Sequence, residues 1–379
     1  MVTPLAARQT QLRALIADRT LRMVWSPEVM EQPPPFAGTR VAADRIRGML
    51  LGLAIGDALG NTSESMLRGA RRMRFGEVRE YLPNRHAGGA RVGLPSDDTQ
   101  LAFWTLEHLL EHGRIEPDAL ARLFCSGRIF GMGRTMRAFV DAWRQEQDWR
   151  RAAQPSAGNG ALMRIAPVLV PHLDDGGAGL WIDAVLGTAI THNDRAAIAS
   201  SVAFVGIWAE LLLMSAAPAP EWWVETYIAR ARPLEGNETR YRLRGGKLAG
   251  AWSGPLWQLV EQHVPAAAHL PAAEAQELWY SGAYLLETVP TVLHILMRHA
   301  QDPEEAIVRA VNDSKDNDTI AAVVGATVGA LHGEAALPKR WRDGLLGRVI
   351  ADVDDRRVYD LLDRTIRHAM RADGHRLTA

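Results

Sequence analysis

Apolar positions recur three and four residues apart through most of this chain, and strict alternation never lasts more than a few residues. That spacing predicts helices over residues 43–59, 97–112, 117–125, 135–147, 181–190, 195–214, 273–298, 303–312, 318–331 and 356–370. Glycine-rich connections such as HAGGARVGLPSDD and QPSAGNGALMR separate them. The pattern implies an all-α domain whose loops are too elaborate for a plain bundle. One apolar run, AAIASSVAFVGIWAELLLMS, approaches membrane-spanning length. Glu210 and its many Ala and Ser residues make it a buried core helix instead.

Residues 1–40 are patterned differently from the rest. The stretch LRALIADRTLRMVW predicts a short amphipathic helix, and Pro33, Pro34 and Pro35 predict an extended spacer after it. The expected organisation is an N-terminal extension over 1–40, a main domain over 41–372 and a C-terminal tail over 373–379. The first residues lack the uninterrupted apolar core of a signal peptide.

Composition narrows the class. Of 379 residues, 47% are hydrophobic and 23% charged, as in soluble globular proteins. A net charge of −1 gives no reason to expect nucleic acid or a membrane surface as partner. Cys125 is the single cysteine, so no intramolecular disulfide framework exists, which suits a reducing cytoplasm.

Two helices share an unusual feature. GLAIGDALG carries Gly52, Gly56 and Gly60, and GATVGALHG carries Gly325, Gly329 and Gly333, each set four residues apart on one face. Glycine inside a helix costs about 1 kcal/mol relative to alanine, so close backbone approach is the expected compensation. If the stripes meet, Asp57 and Glu64 come near Asp316 and Asp318.

Acids crowd two helix starts. Ser96, Asp97, Asp98 and Thr99 form one cluster; Asp316, Asn317, Asp318 and Thr319 form the other. Either alone reads as a helix cap, since Ser, Asp and Asn cap helices and acids suit the dipole. A cap needs one oxygen, whereas these clusters offer several carboxylates with hydroxyls beside them. That is the ligand set of hard divalent cations, and no Cys or His cluster has zinc spacing, so magnesium or manganese is the expected ion. Glu64 is either a solvated loop acid or a carboxylate of the same cleft. The backbone amides of Gly158, Asn159 and Gly160 suit a diphosphate; Gly131 and Gly133 form a similar but less informative turn. His192 reads as a helix cap or a ligand contact.

Taken in order, GDALG, SDDT, GNGALMR, TH and DNDTIAA resemble the ADP-ribosylglycohydrolase family, over roughly 45–333. The resemblance implies a compact orthogonal multi-helix fold with two Mg2+ ions, Mn2+ being an alternative. It implies metal ligands Ser96, Asp97, Asp98, Asp316, Asp318 and Thr319, and catalytic roles for Asp97 and Glu64. Substrate contacts would come from Asp57, Gly131, Gly133, Gly158, Asn159, Gly160 and His192. Family members usually read Gly-Gly-Asp-Thr-Asp-Thr where this chain has Ser314, Lys315, Asp316, Asn317, Asp318 and Thr319. Lys315 therefore brings a cation beside the acids, to meet either a substrate phosphate or Asp313.

The implied activity is removal of ADP-ribose from modified protein side chains, arginine foremost. Some family members with an N-terminal extension are immunity proteins that block an ADP-ribosyltransferase toxin, and residues 1–40 suit such an arm or a surface helix of the domain itself. A non-cleaving ADP-ribose reader and a two-metal phosphohydrolase are the other classes this ligand inventory admits.

Overall fold

The computed structural model describes residues 4–173, 177–349 and 351–375. Helices dominate these residues, with one two-residue strand pair, Tyr241–Arg242 antiparallel to Ser253–Gly254. The all-α expectation is met.

At the centre lie the two glycine helices, Ala43–Gly60 and Asn317–His332, running antiparallel. Around them pack Asp97–His112, Arg195–Leu211, Leu285–His299 and Pro303–Asp313. Arg195–Leu211 is the apolar run noted above. It is buried on nearly every face, as a central helix must be, and Asp194 caps it by accepting from Ala196 N and Ala197 N. No helix among the described residues is long and apolar enough to cross a membrane.

Two expectations need correction. The helix expected over 273–298 is two, Ala272–Trp279 and Leu285–His299, interrupted where Tyr280 adopts φ +61°. The break has a physical reason. The Ser281 carbonyl accepts from Lys315 N (3.2 Å) and Asp316 N (2.9 Å), bonds a continuous helix would have used internally. Helices at Arg68–Phe75, Pro220–Glu235 and Leu256–His263 were not expected; the first is too charged, the second too rich in Trp and Pro, and the third too short, for the apolar spacing to stand out.

The N-terminal helix runs Pro4–Ala17, earlier than expected, and stops before Arg19 at φ +64°. Residues 4–40 are not a free appendage. Leu12, Leu21, Met23, Met30 and Phe36 are buried in the same core as the main helices. Backbone ties reinforce this: Val24 N donates to Leu234 O (2.8 Å), and Trp181 Nε1 to Gln32 O (2.7 Å). Arg8 pairs with the buried Asp183. The three prolines lead into a turn, Ala37 N donating to Pro34 O, so they form a strap bend and not an extended spacer. Of the tail expected at 373–379, residues 373–375 continue the final helix, Arg357–His375, and 376–379 lie outside the described residues.

Candidate active site

The bare helix faces do meet. A Cβ on Gly52 would lie 2.1 Å from Gly325 O, on Gly56 2.0 Å from Ala321 O, and on Gly60 2.5 Å from Asn317 O. Gly48, outside the expected stripe, meets Gly329 in the same way. Any side chain here would force the backbones apart. Because the pair is antiparallel, the last turn of the first helix abuts the first turn of the second. Asn317 Nδ2 fixes that junction, within 3.0–3.2 Å of Gly60 O, Ser63 Oγ and Val311 O.

Asp57, at this junction, brings in the third element. Its oxygens accept from Ser96 N (2.8 Å), Ser96 Oγ (2.5 Å), Thr99 N (3.1 Å), Thr99 Oγ1 (2.5 Å) and Asn61 Nδ2 (3.0 Å). It thereby caps the helix Asp97–His112 from another helix. Neither Asp57 nor Ser96 lines the cleft, so the expected substrate contact at Asp57 is a scaffold contact. Ser96 gives its proton to Asp57 and stands one layer behind the ligand positions expected of it.

The cleft itself has a volume of about 280 Å³ and gathers Glu64, Asp97, Asp98, Asp316, Asp318 and Thr319 on one side. One oxygen from each of Glu64, Asp316 and Asp318 lies within 4.8 Å of the others. At that spacing two unit charges repel by roughly 3 kcal/mol per pair at an effective dielectric of ~20. Burial, and then the neighbouring acids, push Asp98 and Asp318 well above the usual carboxylate range. Asp97 rises to about 7 and Asp316 to about 6, burial again the main cause. Asn159 Nδ2 donates to Asp316 Oδ2 at 2.6 Å, but Asp98 Oδ2 is buried without any partner. A buried carboxylate oxygen lacking a donor, among other oxygens and no thiolate, fits a hard divalent cation.

The rest of the lining is neutral or cationic. It includes Gly131, Gly133, Gly158, Asn159, Gly160 and His192, as expected, and also Arg134 and Arg244. Gly131 sits at φ +93°, where an added Cβ would lie 2.8 Å from Asp97 Oδ1, so only glycine lets this loop close against the acid.

His192 is held by a buried relay. Arg164 Nη2 donates to Thr191 Oγ1 (2.8 Å), which lies 2.9 Å from His192 Nδ1. A guanidinium has only donors, so the threonine oxygen accepts from it, and the same hydroxyl holds the imidazole through Nδ1. Burial, then the Arg164 charge, pulls His192 down to about 3. The ring is neutral, and its Nε2 faces Gly158 and Gly160.

Arg244 escaped sequence reading because it lies in YRLRGG, outside any periodic segment. Its guanidinium stacks 4.1 Å from the Tyr284 ring centroid, beside the bridge between Gly158 and Tyr284. Lys315 does not pair with Asp313. Its ammonium lies 4.8 Å from the Tyr280 ring centroid.

A helical scaffold whose paired glycine helices present an acidic cleft beside a glycine turn defines the class. The chain belongs to the ADP-ribosylglycohydrolase family, whose model matches residues 39–373, and it is accordingly a hydrolase. It is 25% identical over 358 residues to ADP-ribosylarginine hydrolase Tri1 of Pseudomonas putida, covering 90% of this chain and 85% of that protein. It is 26% identical over 326 residues to ADP-ribosyl-[dinitrogen reductase] glycohydrolase of Rhodospirillum rubrum, covering 84% and 95%. Among solved structures, an ADP-ribosylglycohydrolase-related protein complex aligns with a TM-score of 0.63 and 26% identity, over 87% of this chain and 98% of that one.

Proposed function

We propose that this protein removes ADP-ribose from arginine side chains of modified proteins, using two Mg2+ or Mn2+ ions in the acidic cleft. The observation that carries the reading is Asp98 Oδ2, buried and without a donor among converging carboxylates, in a cleft that the Gly158–Asn159–Gly160 turn also lines. Asp97, Asp98, Asp316, Asp318 and Thr319 would hold the ions, with Ser96 behind them. When bound, the ions polarise the ribose hydroxyls and make water more acidic.

The chain's own groups do the rest. The Gly160 amide, and neutral His192 in its Nε2-protonated tautomer, would offer donors for a diphosphate without an opposing charge. Arg244 and Arg134 add positive charge on the same wall. Glu64 and Asp97 both reach the cleft, so proton transfer from water and toward the leaving guanidine falls to them. Water adds at C1″ as the C1″–N bond breaks, and the products are ADP-ribose and arginine. The lone Cys125 suits a cytoplasmic setting. Leu12, Met23, Met30 and Phe36 of residues 1–40 are packed in the core, so a toxin would meet only the outer face of this segment unless it is released.

Chromatography of products from an ADP-ribosyl-arginine peptide tests this, with Mg2+, with EDTA and with Asp98→Asn. Free ADP-ribose that needs Mg2+ and disappears in the variant is the expected result. AMP, or no product under any condition, overturns it.

A further inference from the structure

Beside the cleft lies a second groove of about 280 Å³, lined by Arg68, Arg72, Arg298, Arg309, Glu77 and Asp313 among others. Its acids are already committed. Arg309 pairs with both Glu77 and Asp313, and Glu77 also with Arg79. Arg68, Arg72 and Arg298 form no ion pair among the described residues, although Asp313 and Glu277 lie within electrostatic reach of Arg68, so the groove carries a net positive charge. Arg68 and Arg72 are exposed on the short helix Arg68–Phe75, together with Arg74. Flanking them are Leu67 at 62% and Met73 at 85% exposure, two of only four large hydrophobic side chains left exposed among the described residues.

This helix is anchored to the acidic cleft. Arg71, the helix's one buried residue, donates to Val311 O (2.9 Å), Ser314 O (2.7 Å), Met66 O (3.0 Å) and Ser63 Oγ (3.1 Å). Burial pulls it down only to about 10, so it stays charged and stabilises the C-terminal end of Pro303–Asp313. Glu64 of the cleft and Arg68 of the groove are four residues apart in the chain, and Asp313 of the groove and Asp316 of the cleft three. Extended chain covers at most ~3.6 Å per residue, so the two grooves are within roughly 14 Å of each other.

We propose that this basic groove docks an acidic segment of the modified protein, selecting substrates that carry Asp or Glu within about four residues of the ADP-ribosylated side chain. The proposal rests on the hydrolase reading above. It commits to a protein partner because exposed apolar groups accompany the charge on a face joined directly to the cleft.

The test compares three substrates: free ADP-ribosyl-arginine, a modified peptide with acidic flanks, and the same peptide with serine flanks. Each is given to the wild type and to the double variant Arg68→Glu/Arg72→Glu. Exposed ion pairs are worth about two- to fivefold each, so kcat/KM should favour the acidic peptide by about tenfold at low salt. That preference should vanish in the variant and in 0.5 M salt, while the free compound is hydrolysed equally by both proteins. Equal kcat/KM for acidic and serine peptides in the wild type overturns the docking proposal. If the free compound is not hydrolysed at all, the functional reading fails instead. Fluorescence anisotropy of the uncleaved peptides then decides docking separately, with equal affinity for the two peptides counting against it.

Discussion

Two sets of buried carboxylates show how this chain separates scaffold from chemistry. Glu235 is fully buried, yet its oxygens accept from Leu256 N (2.7 Å), Trp257 N (3.1 Å) and Thr239 Oγ1 (2.9 Å), capping a helix from a distance. Asp57 does the same for Asp97–His112 with five donors. Asp98 and Asp318 are as well buried, but they face other acids, and Asp98 Oδ2 has no donor at all. A carboxylate surrounded by amides and hydroxyls holds structure together. One left short of donors among its own kind is waiting for a cation.

The sharpest way to break this contrast is to neutralise one acid from each set. Asp98→Asn should lower kcat/KM by roughly 10³-fold, the loss of several kcal/mol of transition-state stabilisation. Its Tm in EDTA should hold or rise, because an acid in an unfavourable buried site has been replaced by a neutral amide; a fall of several degrees would make Asp98 a scaffold residue. Asp57→Ala should do the reverse first, destabilising the fold by about 3 kcal/mol in urea titration as buried donors lose their acceptor.

Metal removal sharpens the comparison further. In the metal-free fold Asp97 near 7 and Asp316 near 6 bind protons that the unfolded chain, with aspartates at 3.8, releases. The metal-free protein therefore loses stability as pH rises from about 4 to 7. A cation displaces those protons, so the rise in Tm on adding Mg2+ should be larger at pH 8 than at pH 6. Saturation at a hundred times the dissociation constant is worth about 2.7 kcal/mol. A shift that is equal at both pH values would show that these acids do not meet the ion.

The smallest expected effect is on the neutral wall. Thr191→Val removes the hydroxyl that holds the His192 ring through Nδ1, so KM should rise about two- to fivefold, one modest hydrogen bond, with kcat retained. An unchanged KM would place His192 outside the substrate's reach.

Much of this was legible in the sequence where short-range pattern and chemistry coincide. The glycine stripes predicted a close helix pair, and that pair brings Glu64 to Asp316 and Asp318. The role of Asp57 was not legible, since its partners are 39 and 42 residues away and nothing local distinguishes an acid facing amides from one facing acids. The interruption at Tyr280 was hidden for a similar reason. Periodicity on both sides is helical, and only the demand of Lys315 N and Asp316 N for the Ser281 carbonyl explains the break. Arg164 and Arg71 look like surface cations in sequence, yet both are buried, where they serve Thr191 and the carbonyls around Ser314.

The glycine faces carry one more implication. Gly48, Gly52, Gly56 and Gly60 repeat every four residues, and so does the facing row, so sliding one helix past the other by about one turn, roughly 5.4 Å, would bring bare positions opposite bare positions again. Shape alone leaves the phase of this interface degenerate. Asn317 removes the degeneracy, because only one phase offers its amide Gly60 O, Ser63 Oγ and Val311 O together. The residue standing between the two aspartates thus works as an index pin, and substituting it would be felt as slippage of the whole helix before it was felt as lost charge.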